Sequence, residues 1–362
     1  MAIPVGQTVF SMVAGISLIS STAFLVESSA PSPPFNPSGD RFNQNLFYGR
    51  FCKMFLACDP LLLTKFESEV NRCQALLAKS ATHSNSVASM DDGTTDRDLW
   101  QAKRTINACV HPDTGETVPQ PFRMSGYLPY NGPISTMMVA STTTPSLLFF
   151  AWLNQSQNAL VNYFNRNANS PMSIETLTMS YAGAVGSALT VALGLSAMIK
   201  KRFPDKEKAA RMMKFIAFPS SVLASSLNCY IVRSPEIKTG IPLRLDPENK
   251  LGYACEGLKS NIAAARGVNE TTASRALLQA PVYFLPPVLM SALPPIKNAL
   301  AKNPRLSVPI TTFLLLISFG AGLPATVAMF PQISEIGIDD VEPEFKAGVP
   351  AGTLKLYYDK GL

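Results

Sequence analysis

Two groups of side chains in this sequence could do chemistry. His111, Pro112, Asp113 and Thr114 open the run HPDTGE at 111–116, with an imidazole and a carboxylate two residues apart. The second group is uncharged: Asn154, Gln155, Gln157, Asn158, Asn162 and Asn165 crowd the stretch WLNQSQNALVNYFN. Asn154, Asn158, Asn162 and Asn165 follow steps of four, four and three, which sets them on one face of a helix. Amides donate and accept hydrogen bonds without carrying charge, which suits a path for a neutral polar solute.

The first group supports no reaction. A His–Asp couple needs a nucleophile, and none is indicated. His83 and His111 are the only histidines, and no Cys-x-x-Cys pair accompanies them, so neither a metal site nor a cofactor is expected. J-domain cochaperones carry His-Pro-Asp between two helices, whereas here TGETVPQPFRMSGYLP follows, with its prolines and glycines. The remaining reading is a structured turn, in which Pro112 fixes φ while Asp113 and Thr114 bond nearby backbone N–H groups. Its place just ahead of the amide stretch makes it a gate or docking element, and the chain is not expected to be an enzyme.

The amides lie in an uncharged setting. Residues 124–165 hold no Asp, Glu, Lys, Arg or His across 42 positions. Four more runs lack ionised side chains, 176–199, 215–232, 276–296 and 306–334, with lengths of 24, 18, 21 and 29 residues. Each approaches or exceeds the roughly 17–25 residues a helix needs to cross a bilayer. The expected fold is therefore an all-α integral membrane protein with about five spans. It is preceded by an amphipathic helical region in which Phe55, Leu62, Phe66, Val70 and Leu77 recur at helical spacing over 51–77. The expected organisation is an apolar leader or extra membrane helix with a Pro-rich linker (1–39), a soluble helical region (40–123), the membrane domain (124–334) and an acidic tail (335–362). A short helix is expected at 98–109 and a loop at 80–94.

Charge orients the spans. Loop 200–214 carries seven Lys or Arg against two acids, and loop 297–305 carries three basic residues and none acidic. With 124–165 as one crossing, the N-terminal region shares the face of these basic loops and the tail lies opposite. Short basic loops mark the cytoplasmic or matrix-equivalent face. The net charge of +6 is thus an orientation signal, and no basic cluster interleaved with aromatics suggests nucleic acid.

An unpaired amide in hydrocarbon costs roughly 2–7 kcal/mol, so the stripe must meet partners or water. The run 276–296 adds Pro281, Pro286, Pro287, Pro294 and Pro295, each removing a helix hydrogen bond and freeing a carbonyl. Such irregular backbone survives at membrane depth only against protein or a wet cavity, and broken helices commonly form transporter sites. Asn154, Gln155, Asn158, Asn162, Asn228, Pro286 and Pro287 are the expected substrate path. Ala182 with Gly186 and Gly183 with Ser187 are small pairs suited to helix packing. The absence of an intramembrane carboxylate favours facilitated transport or exchange over proton coupling, and no internal repeat is visible.

The segments HPDTGE at 111–116, RMS at 123–125, TTP at 143–145 and NQSQNALVNYFNRNA at 154–168 resemble, in order and spacing, hallmark stretches of the sideroflexins. EIKTGIP at 236–242, SR at 274–275, FPQ at 330–332 and, upstream, YGR at 48–50, CDP at 58–60 and LWQAK at 99–103 extend the resemblance over roughly 41–335. It implies a five-span mitochondrial inner-membrane carrier of serine or a similar small neutral amino acid, feeding one-carbon metabolism. The contrasting expectation is a non-transporting scaffold supporting assembly or iron and cofactor metabolism. The N-terminus departs from the family. Residues 1–26 contain no charge, so they form neither an Arg-rich presequence nor a signal peptide with a basic start. They form a further membrane helix or a removed leader, and a plastid-type membrane is the alternative address.

Overall fold

The computed structural model describes residues 4–82, 93–111, 114–164, 174–247, 251–350 and 352–360. Most of the loop expected at 80–94 falls outside them, as do Pro112, Asp113 and Asn165. Among the described residues, four helical spans are long and apolar enough to cross a membrane unaided: Val5–Ser29, Thr178–Arg202, Lys206–Thr239 and Pro304–Met329. A fifth, Asn261–Ala292 with Pro294–Lys302, bends by 78° at its break. The protein is an all-α integral membrane protein.

The first of these spans is α1 (Val5–Ser29), and it runs beside α13 (Ser307–Met329). A Cβ on Gly15 would stand 3.0 Å from Leu316, and one on Gly320 2.6 Å from Ile19, so the two helices are parallel. α1 ends in the buried carboxylate of Glu27, which pairs with Arg41 and, at 3.3 Å, with Arg104. Arg104 also reaches Asp59 at 2.8 Å. Removing one partner from such a buried pair leaves an uncompensated charge, commonly a loss of about 3–5 kcal/mol.

The helical periodicity expected over 51–77 is interrupted. α2 (Phe47–Ala57) stops before Asp59, whose side chain accepts from Leu61 N–H and starts the 3-10 turn Pro60–Thr64. α3 (Glu67–Thr82) then packs on α4 (Asp96–Cys109). At the start of α4, Thr95 and Asp98 form a reciprocal capping box. Arg50 on α2 donates to Ala328 O at 2.8 Å, closing the last turn of α13.

Residues 124–165 are not one span. The chain passes through a π-helical turn, Tyr127–Asn131, into the short α5 (Gly132–Ala140), reverses, and returns as α6 (Thr144–Phe164). The start of α6 meets the end of α7 (Ile174–Arg202), where Thr144 Oγ1 lies 2.6 Å from Ser196 Oγ and 2.7 Å from Lys200 Nζ. The other end of α6 meets the N-terminal region: Gln157 donates to Pro121 O at 2.9 Å, and Phe164 stacks on Phe122 at 4.6 Å. Between residues 122 and 144 the chain therefore travels the length of α6, 21 residues or about 31 Å. That traverse differs from the single crossing expected, and with it the relative placement of the ends. The N-terminal region lies with the C-terminal segment, opposite the basic loops.

The remaining helices are consistent with this arrangement. α8 (Lys206–Met213) lies on the basic face, and α9 (Ala217–Thr239) returns along α7 to end at Gly240, whose φ of 68° suits glycine. α10 (Asn261–Gln279) runs back along α9. A second π-helical turn, Ala280–Phe284, leads into α11 (Leu285–Ala292), and α12 (Pro294–Lys302) bends away. After α13, strands β1 (Ile333–Gly337) and β2 (Lys355–Asp359) pair antiparallel around α14 (Pro343–Gly348). Leu243, Ala254, Ala263, Ile336, Phe345 and Tyr358 form a separate small core there.

Candidate functional site: a buried uncharged polar cluster

Asn154 lies midway along α6, 1% exposed, with no ionised side chain within 124–165. Its Nδ2 donates to Tyr283 OH at 2.8 Å and Asn131 Oδ1 at 3.0 Å, with Ser135 Oγ at 3.4 Å. Ser135 Oγ and Tyr283 OH are 3.0 Å apart. Asn131, Ser135, Asn154 and Tyr283 are all at most 3% exposed. Two amide hydrogens thus serve three oxygens drawn from three separate elements.

Both π-helical turns feed this cluster. Asn131 ends the first and Tyr283 lies within the second. Each turn is followed by a short helix with proline in its first turn, Pro133 in α5 and the buried Pro286 and Pro287 in α11. A π turn shifts the backbone pairing by one residue, and proline withholds an N–H, so both segments carry carbonyls outside the regular ladder. α13 backs both turns. Tyr127 packs edge-on against Phe319 at 5.7 Å, and Gly322 leaves room for Pro281, whose Cβ would lie 2.2 Å from an added Cβ.

The cluster has unused capacity. Ser221 Oγ is buried without a hydrogen-bond partner. Ser221 stands near the Tyr283 hydroxyl without reaching hydrogen-bond geometry. Unsatisfied buried hydroxyls each cost about 1–3 kcal/mol. A solute bearing both an ammonium donor and carboxylate acceptors could recover that cost.

The structure brings some of the expected path residues together and separates others. Gln155, 4% exposed, donates to Asn154 Oδ1 at 3.4 Å, and the half-buried Asn158 does so at 3.3 Å. Asn162 continues α6, and its side chain lies outside what is described. Asn228 sits elsewhere, on α9, where it reaches Ser180 O of α7 at 3.4 Å. Pro286 and Pro287 follow Tyr283 within one turn. Asn131, Ser135 and Tyr283 were not anticipated from sequence.

His111 and Thr114 belong to a tight turn remote from the cluster. His111 N–H donates to Glu116 O at 2.8 Å, Gly115 N–H to His111 O at 2.9 Å, and Thr114 N–H to His111 Nδ1 at 3.3 Å. Gly115 takes φ of 71° to close it. Together with Tyr163 and Phe164 at the end of α6, the turn lines a cleft of about 230 Å³. Pro112 and Asp113 lie outside the described residues.

Comparison with known proteins rests on sequence. No solved structure matches the chain. Human Sideroflexin-5 is 36% identical over 335 residues, covering 91% of this chain and 94% of its own. Sideroflexin-5 of Caenorhabditis elegans is 34% identical, covering 91% and 96%. Human Sideroflexin-1 is 33% identical, covering 91% and 98%. The family model for sideroflexins matches residues 36–362, which leaves α1 ahead of the matched region. With nearly the whole helical membrane domain and its polar centre inside that match, the chain belongs to the sideroflexin family.

Proposed function

We propose that this protein carries a small neutral amino acid, serine above others, across the mitochondrial inner membrane and so supplies one-carbon metabolism. The observation that supports this reading is the uncharged cluster of Asn131, Ser135, Asn154 and Tyr283. A zwitterion needs acceptors for its ammonium and donors for its carboxylate but no net countercharge. Amides, hydroxyls and freed carbonyls supply both. Serine adds a hydroxyl that Ser221, buried and unpartnered beside Tyr283, is suited to meet.

The two π-helical turns would act as hinges. Asn154 ties them together in this state; a bound zwitterion competing for the same amide would release one turn from the other. No proton relay is needed, because no acid or base takes part. On this reading the chain has no enzymatic role, and the His111–Glu116 turn acts as a gate or docking element at the mouth of α6. Reconstitution into liposomes tests the proposal. Serine uptake should saturate, and Asn154→Leu should reduce it by at least about tenfold while the protein still inserts. Wild-type vesicles no more permeable to serine than empty ones would return the scaffold reading.

A further inference from the structure

At the opposite end of α13 from the N-terminal region, a cavity of about 410 Å³ opens between α1, α12 and α13. Phe10 and Ala14 of α1, Ile296 of α12, and Pro309, Ile310 and Phe313 of α13 line it. The rim is different. α12 bends by 78° from the preceding span, so it lies along the basic face. Ile296 and Leu300, four residues apart, are half-buried, whereas Lys297 and Lys302 are exposed. Arg305, exposed in the turn that starts α13, stands one helical turn before Pro309. Residues 276–334 contain no acid, and among the described residues none of these three cations is in an ion pair.

We propose that this groove is a binding site for one anionic phospholipid. An acyl chain would lie between α1 and α13, and its phosphate would meet Lys297, Lys302 and Arg305. Apart from the Ser11 hydroxyl the lining is apolar, which suits an acyl chain better than a polar solute. An in-plane amphipathic helix carrying unpaired cations beside an apolar slot matches a lipid with both a chain and a negative headgroup. α1 supplies one wall, and it lies ahead of the residues that the family model matches. The other two walls, α12 and α13, lie within those residues. Bound there, the lipid would bridge α1 to α12 and strengthen the docking of a helix that leaves Val9, Phe10, Val13 and Leu18 exposed.

Native mass spectrometry of the full-length protein, with phosphatidylglycerol or phosphatidylcholine added to the detergent, tests this. One phosphatidylglycerol per chain should be retained, with a preference of about fivefold for each cation engaged. The variant K297Q/K302Q/R305Q changes only exposed side chains and should bring retention down to the phosphatidylcholine level. Ala14→Trp fills the slot and should reduce retention of both lipids. Equal retention of the two lipids by the parent would overturn the proposal. So would an unchanged preference in the triple variant, or a mass showing a second copy of the chain in place of lipid.

Discussion

One nitrogen, Asn154 Nδ2, holds the polar centre together by serving Tyr283, Asn131 and Ser135. Tyr283→Phe removes a single oxygen and keeps the ring's packing. The change should destabilise the protein by about 1–3 kcal/mol, because Asn154 and Ser135 lose a buried partner, and uptake per folded molecule should fall. Asn228→Leu is the useful contrast. Its amide bridges α7 and α9 away from the cluster, so melting temperature should drop while uptake per folded molecule holds. Equal transport losses in the two variants would show that stability alone governs activity. Asn154, Gln155 and Asn158 were legible because six amides in an uncharged stretch are costly unless used. Asn131, Ser135 and Tyr283 were not, since each is an ordinary residue that becomes polar-centre chemistry only through partners 19 to 148 positions away. The one local hint was the run YLPYNGP at 127–133, whose breakers announce irregular backbone at Asn131.

At the scale of elements, hydropathy identified the unbroken helices and composition hid the breaks. α7, α9 and α13 follow from runs without charge. A neutral run also allows two legs, and 124–165 is long enough for a short leg, a reversal and α6. The supports of the π-helical turns can be tested directly. Gly322→Ala sets a methyl against the rigid ring of Pro281 and should cost about 1–3 kcal/mol while displacing the second π turn. Gly186→Ala meets nothing within 4 Å and should instead stabilise α7 by about 0.5–1 kcal/mol. Thermal unfolding of the pair in detergent separates the effects. The C-terminal segment is tied to α10 by Glu342, whose Oε1 accepts from Asn261 N–H at 2.7 Å and Ile262 N–H at 3.0 Å. Burial pushes this carboxyl up, but the Ser260 hydroxyl and the backbone N–H groups outweigh it, and the net shift is downward. A depressed carboxyl stabilises the fold above its unfolded value of 4.5 and loses that contribution as pH falls through its lower folded value. Glu342→Gln should remove the part of the acid-induced loosening that occurs below about pH 4.5. Hydrogen exchange at the start of α10 reads this; parent and variant with the same pH profile would refute it.

For the whole molecule, the short basic loops still mark one face, but the number of crossings assigns the ends differently. The chain runs the length of α6 between residues 122 and 144 and then returns as α6 itself. The N-terminal region therefore meets the C-terminal end of α13, through Arg50 to Ala328, and Phe122 meets the end of α6. If the basic face is the matrix face, the positive-inside bias places both the N-terminal region and the C-terminal segment in the intermembrane space. Three exposed positions report on this: Ser38 in the N-terminal region, Glu344 in α14, and Lys208 in the basic loop. Each is changed to cysteine in a Cys255→Ser background, because Cys255 is the one native thiol that is not buried. On the proposed mitochondrial location, once the outer membrane is stripped, a membrane-impermeant maleimide should label Ser38→Cys and Glu344→Cys together, and Lys208→Cys only after the inner membrane is dissolved. Because the comparison is relative, it holds even if the protein inserts the other way up: Ser38 and Glu344 must still share a face that Lys208 does not. Labelling of Ser38→Cys with Lys208→Cys, apart from Glu344→Cys, would restore a single crossing through 124–165 and separate the N-terminal region from the end of α13.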